Sequence, residues 1–227
     1  MKLNLGAGRV IFPAEPEDKG GDEALPYPVP CYEPGWVNID KYPNPGINIA
    51  LDLFKFPWIN PEAWAIEPFK DNSVDYIYCS HIVEHIPHKA ELTPGLPIYW
   101  ADQYRLMIEH LDGFFVFFEE CWRIMKPGAL MCITAPFGLS VGGLIDPTHT
   151  RLIFPQTFIY LKPAADIAPF DYHLKCNFDR IGEMWSTYDP FWYPRIKEMD
   201  EDERGLTAFT YVNVVRNFRL NLRAVKD

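Results

Sequence analysis

Lys2-Leu3-Asn4-Leu5-Gly6-Ala7-Gly8 decides the fold of this 227-residue chain. A short apolar strand over Lys2–Leu5 is stopped at once by Gly6 and Gly8, and glycines after a strand let the backbone approach a ligand closely. Working outward, Trp36-Val37-Asn38-Ile39 reads as a second strand and Ile47–Leu51 as a third. Val74-Asp75-Tyr76-Ile77-Tyr78-Cys79 is a fourth, rich in β-branched and aromatic residues. Residues 113–125 place Phe114, Phe115, Phe118, Cys121, Trp122 and Met125 on one face at helical spacing, and Lys126-Pro127-Gly128 is expected to end that helix. Ala129–Ala135 is a continuous apolar run, the pattern of a strand buried on both faces. Phe218, Leu220, Leu222 and Ala224 alternate with Arg219, Asn221 and Arg223, which reads as a half-exposed strand. Strands separated by helices imply right-handed crossovers. The expected fold class is α/β, a single doubly wound, mostly parallel sheet with an antiparallel C-terminal strand. One domain over 1–227 is expected, with a Pro-rich insertion at about 13–35 and an aromatic-rich C-terminal elaboration at about 160–205.

In an open parallel sheet, ligands bind beyond the carboxyl ends of the strands, where the strand order reverses. The first strand ends in Leu5 and Gly6-Ala7-Gly8, the second in Asp40 and Lys41. A carboxylate at Asp40 can accept both hydroxyls of a ribose. The third strand ends at Asp52, with Leu51 and Leu53 on either side to frame an adenine ring, and the fourth in Ser80-His81. Read singly, Asp40 and Asp52 are turn or cap acids; four strand ends with one meaning point to a nucleoside. A dinucleotide fingerprint asks for a third glycine and a helix N-terminus to hold the pyrophosphate. Ile11 stands at that glycine position and Pro13 follows. S-Adenosylmethionine has a ribose and an adenine but no phosphate, so it suits these residues better.

The chain resembles the Rossmann-like class I S-adenosylmethionine-dependent methyltransferases. Leu3-Asn4-Leu5-Gly6-Ala7-Gly8 is similar to their glycine motif and Val37-Asn38-Ile39-Asp40 to their ribose-acid strand. Ser73 to His85 resembles their fourth strand and the segment after it. Glu120-Cys121-Trp122-Arg123-Ile124-Met125-Lys126-Pro127-Gly128-Ala129 resembles their R-x-L-K-P-G-G turn, with Ala129 in place of the last glycine. The resemblance covers roughly residues 1–160. It implies the Rossmann-like methyltransferase fold and S-adenosylmethionine as cofactor. It also implies a cofactor wall built from Leu5, Gly6, Ala7, Gly8, Asp40, Lys41, Leu51, Asp52, Leu53, Ser80 and His81. The helix usual after the glycine motif is replaced by the Pro-rich insertion.

His81-Ile82-Val83-Glu84-His85 also fits H-x-x-E-H, the inverted zinc-protease motif, with residues 81 and 85 on one helix face. Pro87 permits only a very short helix there, and the methyltransferase resemblance explains the segment without an ion, so no metal is expected. A zinc-dependent hydrolase is kept as a third reading. Asp146-Pro147-Thr148-His149-Thr150-Arg151 follows the fifth strand, and a similar segment occurs in a subset of methyltransferase-like proteins. His149, His81 and His85 are the candidate catalytic bases, with Glu84, Asp146 and Arg151 as candidate acceptor-binding residues, Arg151 as an anion anchor. The plainer reading makes Asp146 a turn cap and His149 and Arg151 loop braces. Trp185, Tyr188, Phe191, Trp192 and Tyr193 read as a substrate lid or, more plainly, a packed subdomain.

The net charge is -10, but residues 15–23 and 197–204 hold ten of the acids and three of the bases. The body keeps 21 acids and 18 bases, so no basic footprint for duplex nucleic acid exists. A small-molecule or sugar acceptor fits better. Five cysteines without a C-x-x-C suit a reducing compartment. The polar start Met1-Lys2-Leu3-Asn4 does not read as a secretory signal, and the apolar stretch 128–145 is broken by Thr134, Pro136 and Ser140. A cytoplasmic enzyme is therefore expected, without a membrane partner. The rival from another class is a non-catalytic nucleoside-binding or assembly protein of the same fold.

Overall fold

The computed structural model describes residues 1–8, 10–12, 33–60, 68–163 and 172–226. The expected insertion at 13–35 lies outside them except for its last three residues. Among the described residues the strands are β1 (Lys2–Leu5), β2 (Trp36–Asp40), β3 (Ile49–Ala50), β4 (Lys55–Phe56), β5 (Val74–Ser80), β6 (Glu91–Leu92), β7 (Met125–Pro136), β8 (Phe178–Tyr188) and β9 (Val215–Ala224). The helices are α1 (Ile98–His110), α2 (Gly113–Ile124), α3 (Val141–Ile145), α4 (Tyr193–Ile196) and α5 (Glu201–Thr210). Seven strands form one sheet in the order β3-β2-β1-β5-β7-β9-β8. β9 runs antiparallel to both of its neighbours, while β1, β2, β3, β5 and β7 pair in parallel. From β1 the order runs outward both ways, as a doubly wound sheet requires. β4 and β6, two residues each, form a separate parallel pair that the sequence pattern does not announce.

α2 forms where expected. The Asp112 side chain caps it by accepting from the Phe114 N–H at 2.8 Å. Phe114, Phe117, Phe118, Cys121 and Ile124 are buried in the main core with Leu3, Leu5, Ile39, Ile77, Met131, Ile133 and Phe218. Phe115 and Trp122 reach that core only as half-buried neighbours, and Met125 already belongs to β7. Lys126-Pro127-Gly128 forms a bulge inside β7 instead of a separate turn. Gly128 has φ +76°, and the register steps from Val74 opposite Met125 to Tyr76 opposite Leu130. The other face of the sheet gathers Phe12, Trp36, Tyr76, Tyr78 and Cys132.

Glu120 ties α2 to the rest of the fold. It is fully buried and accepts from the Trp58 N–H (2.9 Å), the Tyr104 hydroxyl (2.9 Å) and two nitrogens of Arg123 (2.8 and 2.9 Å). Arg123 also donates to the Phe69 carbonyl at 2.6 Å and to Asp71 at 2.5 Å. Burial works against its charge, and the Glu120 carboxylate more than offsets that, so its pKa is raised.

The C-terminal strand differs from the sequence expectation. β9 is not half-exposed: Arg219 and Asn221 are buried because β8 covers the edge that β9 was expected to present. Arg219 donates to the Thr134 hydroxyl at 2.9 Å and lies over the Trp185 ring. Cys79, Cys121, Cys132 and Cys176 are buried and form no disulfide among the described residues, and burial pushes the thiols of Cys79, Cys121 and Cys176 up. Among the described residues no helix is long and apolar enough to cross a membrane.

Candidate active site

β1 and β5 are neighbours, and the crevice of the doubly wound sheet opens beyond Leu5 and Ser80. Gly6 and Gly8 both adopt left-handed backbone, with φ +62° and +51°. A Cβ on Gly6 would collide with the Ile82 side chain, so Ile82 and Gly6 lock the two strand ends together. A Cβ on Gly8 would meet nothing closer than 3.9 Å, so the loop presents open space there. The Ala7 N–H donates to the Ile39 carbonyl at 3.0 Å and the Gly8 N–H to Asp40 Oδ2 at 2.9 Å. Asp40 Oδ1 accepts from the Tyr42 N–H at 2.9 Å. An ionised carboxylate has about four lone-pair sites, so Asp40 keeps acceptor capacity for a ligand.

Two asparagines that the sequence reading passed over hold this loop. The Asn4 amide donates to the Val10 carbonyl at 2.6 Å and to Asn38 Oδ1 at 2.9 Å. Asn38 both donates to Phe12 O (2.7 Å) and accepts from Phe12 N (2.9 Å). The available signal was a buried amide in an otherwise apolar strand, which must find partners nearby. At the far end, Asp52 Oδ1 accepts from the Phe54 N–H at 3.2 Å, and Oδ2 lies 3.2 Å from Lys41 Nζ. The Asp52 hydrogen bond raises the Lys41 pKa. Leu53 does not flank this opening as expected: its side chain is buried in the core, as is that of Leu5. Leu51 is half-buried and remains a candidate.

On the other side of the crevice, β5 ends at Ser80, and His81 takes left-handed φ +55° while its N–H donates to the Thr134 carbonyl. A non-glycine residue held there is strained, and such strain gathers at functional sites. Val83–His85 is a single 3₁₀ turn. The shared helix face expected for His81 and His85 therefore does not form. His81 lies before the turn, with Nδ1 3.2 Å from Glu84 Oε1.

The loop after β7 closes on this turn. The Thr150 N–H donates to the Glu84 carbonyl at 2.9 Å, and its hydroxyl to the Ile86 carbonyl at 2.6 Å. The rings of His85 and His149 meet edge to face, with centroids 4.7 Å apart. Two glycines, also missed in the sequence, let the loop fold back: a Cβ on Gly138 would lie 2.5 Å from the Phe154 ring, and one on Gly143 2.7 Å from the Phe137 carbonyl oxygen. Segments 81–85 and 146–151, which topology leads one to expect on opposite sides of the transferable methyl, are in direct contact with each other.

One strand pattern decides among α/β folds. The order β3-β2-β1-β5-β7-β9-β8 with only β9 reversed is the class I arrangement. The chain has the Rossmann-like class I methyltransferase fold. No protein-family model matches it, and no curated protein matches it in sequence. Among solved structures, it is similar to a S-adenosylmethionine-dependent methyltransferase from Archaeoglobus fulgidus at 15% identity, over 98% of this chain and 85% of that one, with a TM-score of 0.45. The N-methyltransferase NodS from Bradyrhizobium japonicum, solved with S-adenosylhomocysteine, is 10% identical over 99% of this chain and 78% of its own, with a TM-score of 0.45. The [4+2]-cyclase SpnF is 12% identical over 100% and 74%, with a TM-score of 0.46. The assignment of the fold rests on the strand order and not on these similarities.

Within this methyltransferase fold, two expected acceptor residues turn out to have structural work. Arg151 is not an open anion anchor. Its guanidinium donates to the Ile86 carbonyl at 3.1 and 2.8 Å and to Asp112 at 2.7 Å, and lies 5.6 Å from the centroid of the Phe114 ring. Asp146 accepts from the N–H and hydroxyl of Thr148 at 2.8 and 2.6 Å, which shapes the turn and holds its carboxyl below the usual range. Of the expected lid, Trp185 lies under Arg219, and Phe191 and Trp192 stack with Arg195, so these rings pack with their neighbours.

Asp112 is the hub that Arg151 braces, and it carries a pH prediction. Partial burial opposes its charge, but the Phe114 N–H, His88 and Arg151 outweigh this and lower its pKa. A lowered folded pKa means the stabilisation is complete above the unfolded value of about 3.9 and is lost as pH falls through the folded value. Asp112→Asn should therefore be less stable than wild type at pH 7, and the gap should narrow below about pH 4. Urea unfolding at both pH values checks this, and a gap that stays constant would remove Asp112 from the account.

Proposed function

We propose that the chain is a S-adenosylmethionine-dependent methyltransferase acting on a small-molecule or sugar acceptor. The observation that carries the reading is the 2.9 Å hydrogen bond from Gly8 N to Asp40 Oδ2. It joins the glycine loop of β1 to the acid of β2, with open space over Gly8 and unused lone pairs on Asp40. Those features fit the cofactor: Asp40 would take the ribose hydroxyls, the Gly6–Gly8 loop would lie against the methionine part, and Leu51 and Asp52 would border the adenine. When bound, S-adenosylmethionine supplies an electrophilic methyl on a neutral leaving group. The chain's own task is to align a nucleophile and exclude water, and proximity provides much of the rate. His81, His85 and His149 stand where an acceptor would approach, and the Thr148–Arg151 loop shields that side. The acidic balance supports a small acceptor over duplex DNA. The proposed location is the cytoplasm, where buried thiols stay reduced.

Calorimetry with S-adenosylmethionine, S-adenosylhomocysteine and NAD tests the cofactor. Asp40→Ala should cost about 1.5–3 kcal/mol of S-adenosylmethionine binding, roughly 10- to 150-fold in Kd. Binding of NAD in its place would overturn the reading. Cofactor binding with no turnover across an acceptor panel would favour the non-catalytic rival.

A further inference from the structure

We propose that Glu84, His85 and His149 form a binding site for one divalent transition-metal ion. One ligand atom from each residue lies within 4.8 Å of the others. Glu84 comes from the 3₁₀ turn after β5 and is 1% exposed. Neither of its carboxylate oxygens has a hydrogen-bond partner among the described residues. The His81 ring nitrogen 3.2 Å away makes an ion pair only when protonated. Burying a carboxylate without partners costs several kcal/mol, and a bound cation removes that cost.

Each of the two rings keeps a lone pair for an ion. His149 Nδ1 lies 3.1 Å from the Gly143 carbonyl oxygen. A carbonyl only accepts, so Nδ1 carries the hydrogen and Nε2 of the neutral ring keeps a lone pair. His85 Nδ1 lies 3.3 Å from the Thr148 carbonyl and 3.1 Å from its hydroxyl oxygen. That hydroxyl gives its own hydrogen to Asp146 at 2.6 Å, so both Thr148 oxygens accept from His85. His85 Nε2 is left with its lone pair as well. A histidine whose second nitrogen donates to a backbone carbonyl is the usual support of a metal ligand. The half-exposed Asp146 Oδ2 stands 3.8 Å from His149 Nε2, at the rim.

Two imidazoles with one carboxylate favour zinc, iron or nickel over magnesium or calcium, and three protein ligands leave a position for water or an acceptor oxygen. The expectation of no metal weighed only His81 and His85 across one helix turn; His149, brought in by the loop after β7, supplies the third ligand. The site stands on its own residues and does not depend on methyl transfer. On that reading the open position would hold an acceptor oxygen.

The test uses the full chain without a histidine tag, stripped by a chelator and titrated with Zn²⁺ and, separately, Mg²⁺. One equivalent of Zn²⁺ should bind and raise Tm, while Mg²⁺ should not compete. Co²⁺ substitution should give visible absorption bands from a site with nitrogen ligands. Glu84→Gln and His149→Ala should each weaken Zn²⁺ by at least about 10–100-fold, the loss seen for supporting residues alone. Thr148→Val, outside the ligand set, serves if those variants fail to fold, and should weaken Zn²⁺ by about tenfold. Absence of a wild-type equivalent, or binding unchanged in folded variants, would overturn the proposal. S-Adenosylmethionine titrated into chelator-treated protein reports on the cofactor reading separately, so the two can fail independently.

Discussion

Glu120→Ala is expected to destabilise the fold by about 3–5 kcal/mol, which lowers Tm by roughly 6–20 °C for a chain of this size. The size of the effect follows from what remains after the change. Arg123 would keep its place under Asp71 and Phe69 but lose the carboxylate that makes two hydrogen bonds to it. The Trp58 N–H and the Tyr104 hydroxyl would be left buried without their acceptor. Removing one partner of a buried pair is far worse than removing both, because the survivor's desolvation is no longer offset. Glu120→Ala combined with Arg123→Met should therefore be less damaging than the sum of the single changes. Denaturant unfolding of the three variants is the measurement. A single-variant loss under about 1 kcal/mol would mean that water reaches Arg123 and takes the place of the carboxylate.

The strands that lead into the crevice loops were legible because each is a short apolar run ending in a residue that neither strand nor core wants. Leu5 to Gly6, Ile39 to Asp40 and Cys79 to Ser80-His81 all change character within one residue. β8 was not legible. Its sequence mixes Asp179, Arg180 and Glu183 with Ile181 and Trp185, and Gly182 at φ +67° falls where the pairing with β9 shifts. An edge strand with a bulge has no clean period of two. Because β8 was missed, β9 was given an open face. α1 begins after Pro97 with no side-chain cap and buries only Tyr104 and Ile108 fully, so its apolar stripe is weak. Topology made the two segments legible as neighbours at the carboxyl edge, but the cluster of Glu84, His85 and His149 was not legible. The spacing of His81, Glu84 and His85 suggested a helix, whereas hydrogen bonds from Thr150 and Arg151 to the Glu84 and Ile86 carbonyls, with those between Thr148 and His85, bring His149 to Glu84 and His85. No local pattern encodes that meeting. The same applies to Arg151, whose partners Ile86 and Asp112 are distant in sequence.

Gly113→Ala should destabilise the protein by about 1–3 kcal/mol, although alanine is the better helix former. Gly113 is the first residue of α2, and a Cβ there would run into the backbone carbonyl oxygen of Pro87. A side chain could rotate away, but this obstacle is backbone held from both sides. Before it, the Ile86 carbonyl accepts from Arg151 at 3.1 and 2.8 Å and from the Thr150 hydroxyl at 2.6 Å. After it, the His88 carbonyl accepts from the Gly113 N–H at 2.7 Å, and the His88 ring meets Asp112 at 2.8 Å. Relief of the clash must therefore move the segment that begins at the Val83–His85 turn, and with it Glu84 and His85. His149 belongs to the opposite loop and need not follow. The substitution is expected to reach the site without touching it: Zn²⁺ affinity should fall by about tenfold or more, as when a supporting contact is lost. Tm and Zn²⁺ titration on one preparation separate the outcomes. Lower Tm with unchanged Zn²⁺ affinity would mean that turn and loop move as one body. Unchanged Tm would mean that the Pro87 carbonyl yields freely, and the brace through Arg151 would then carry little of the load assigned to it.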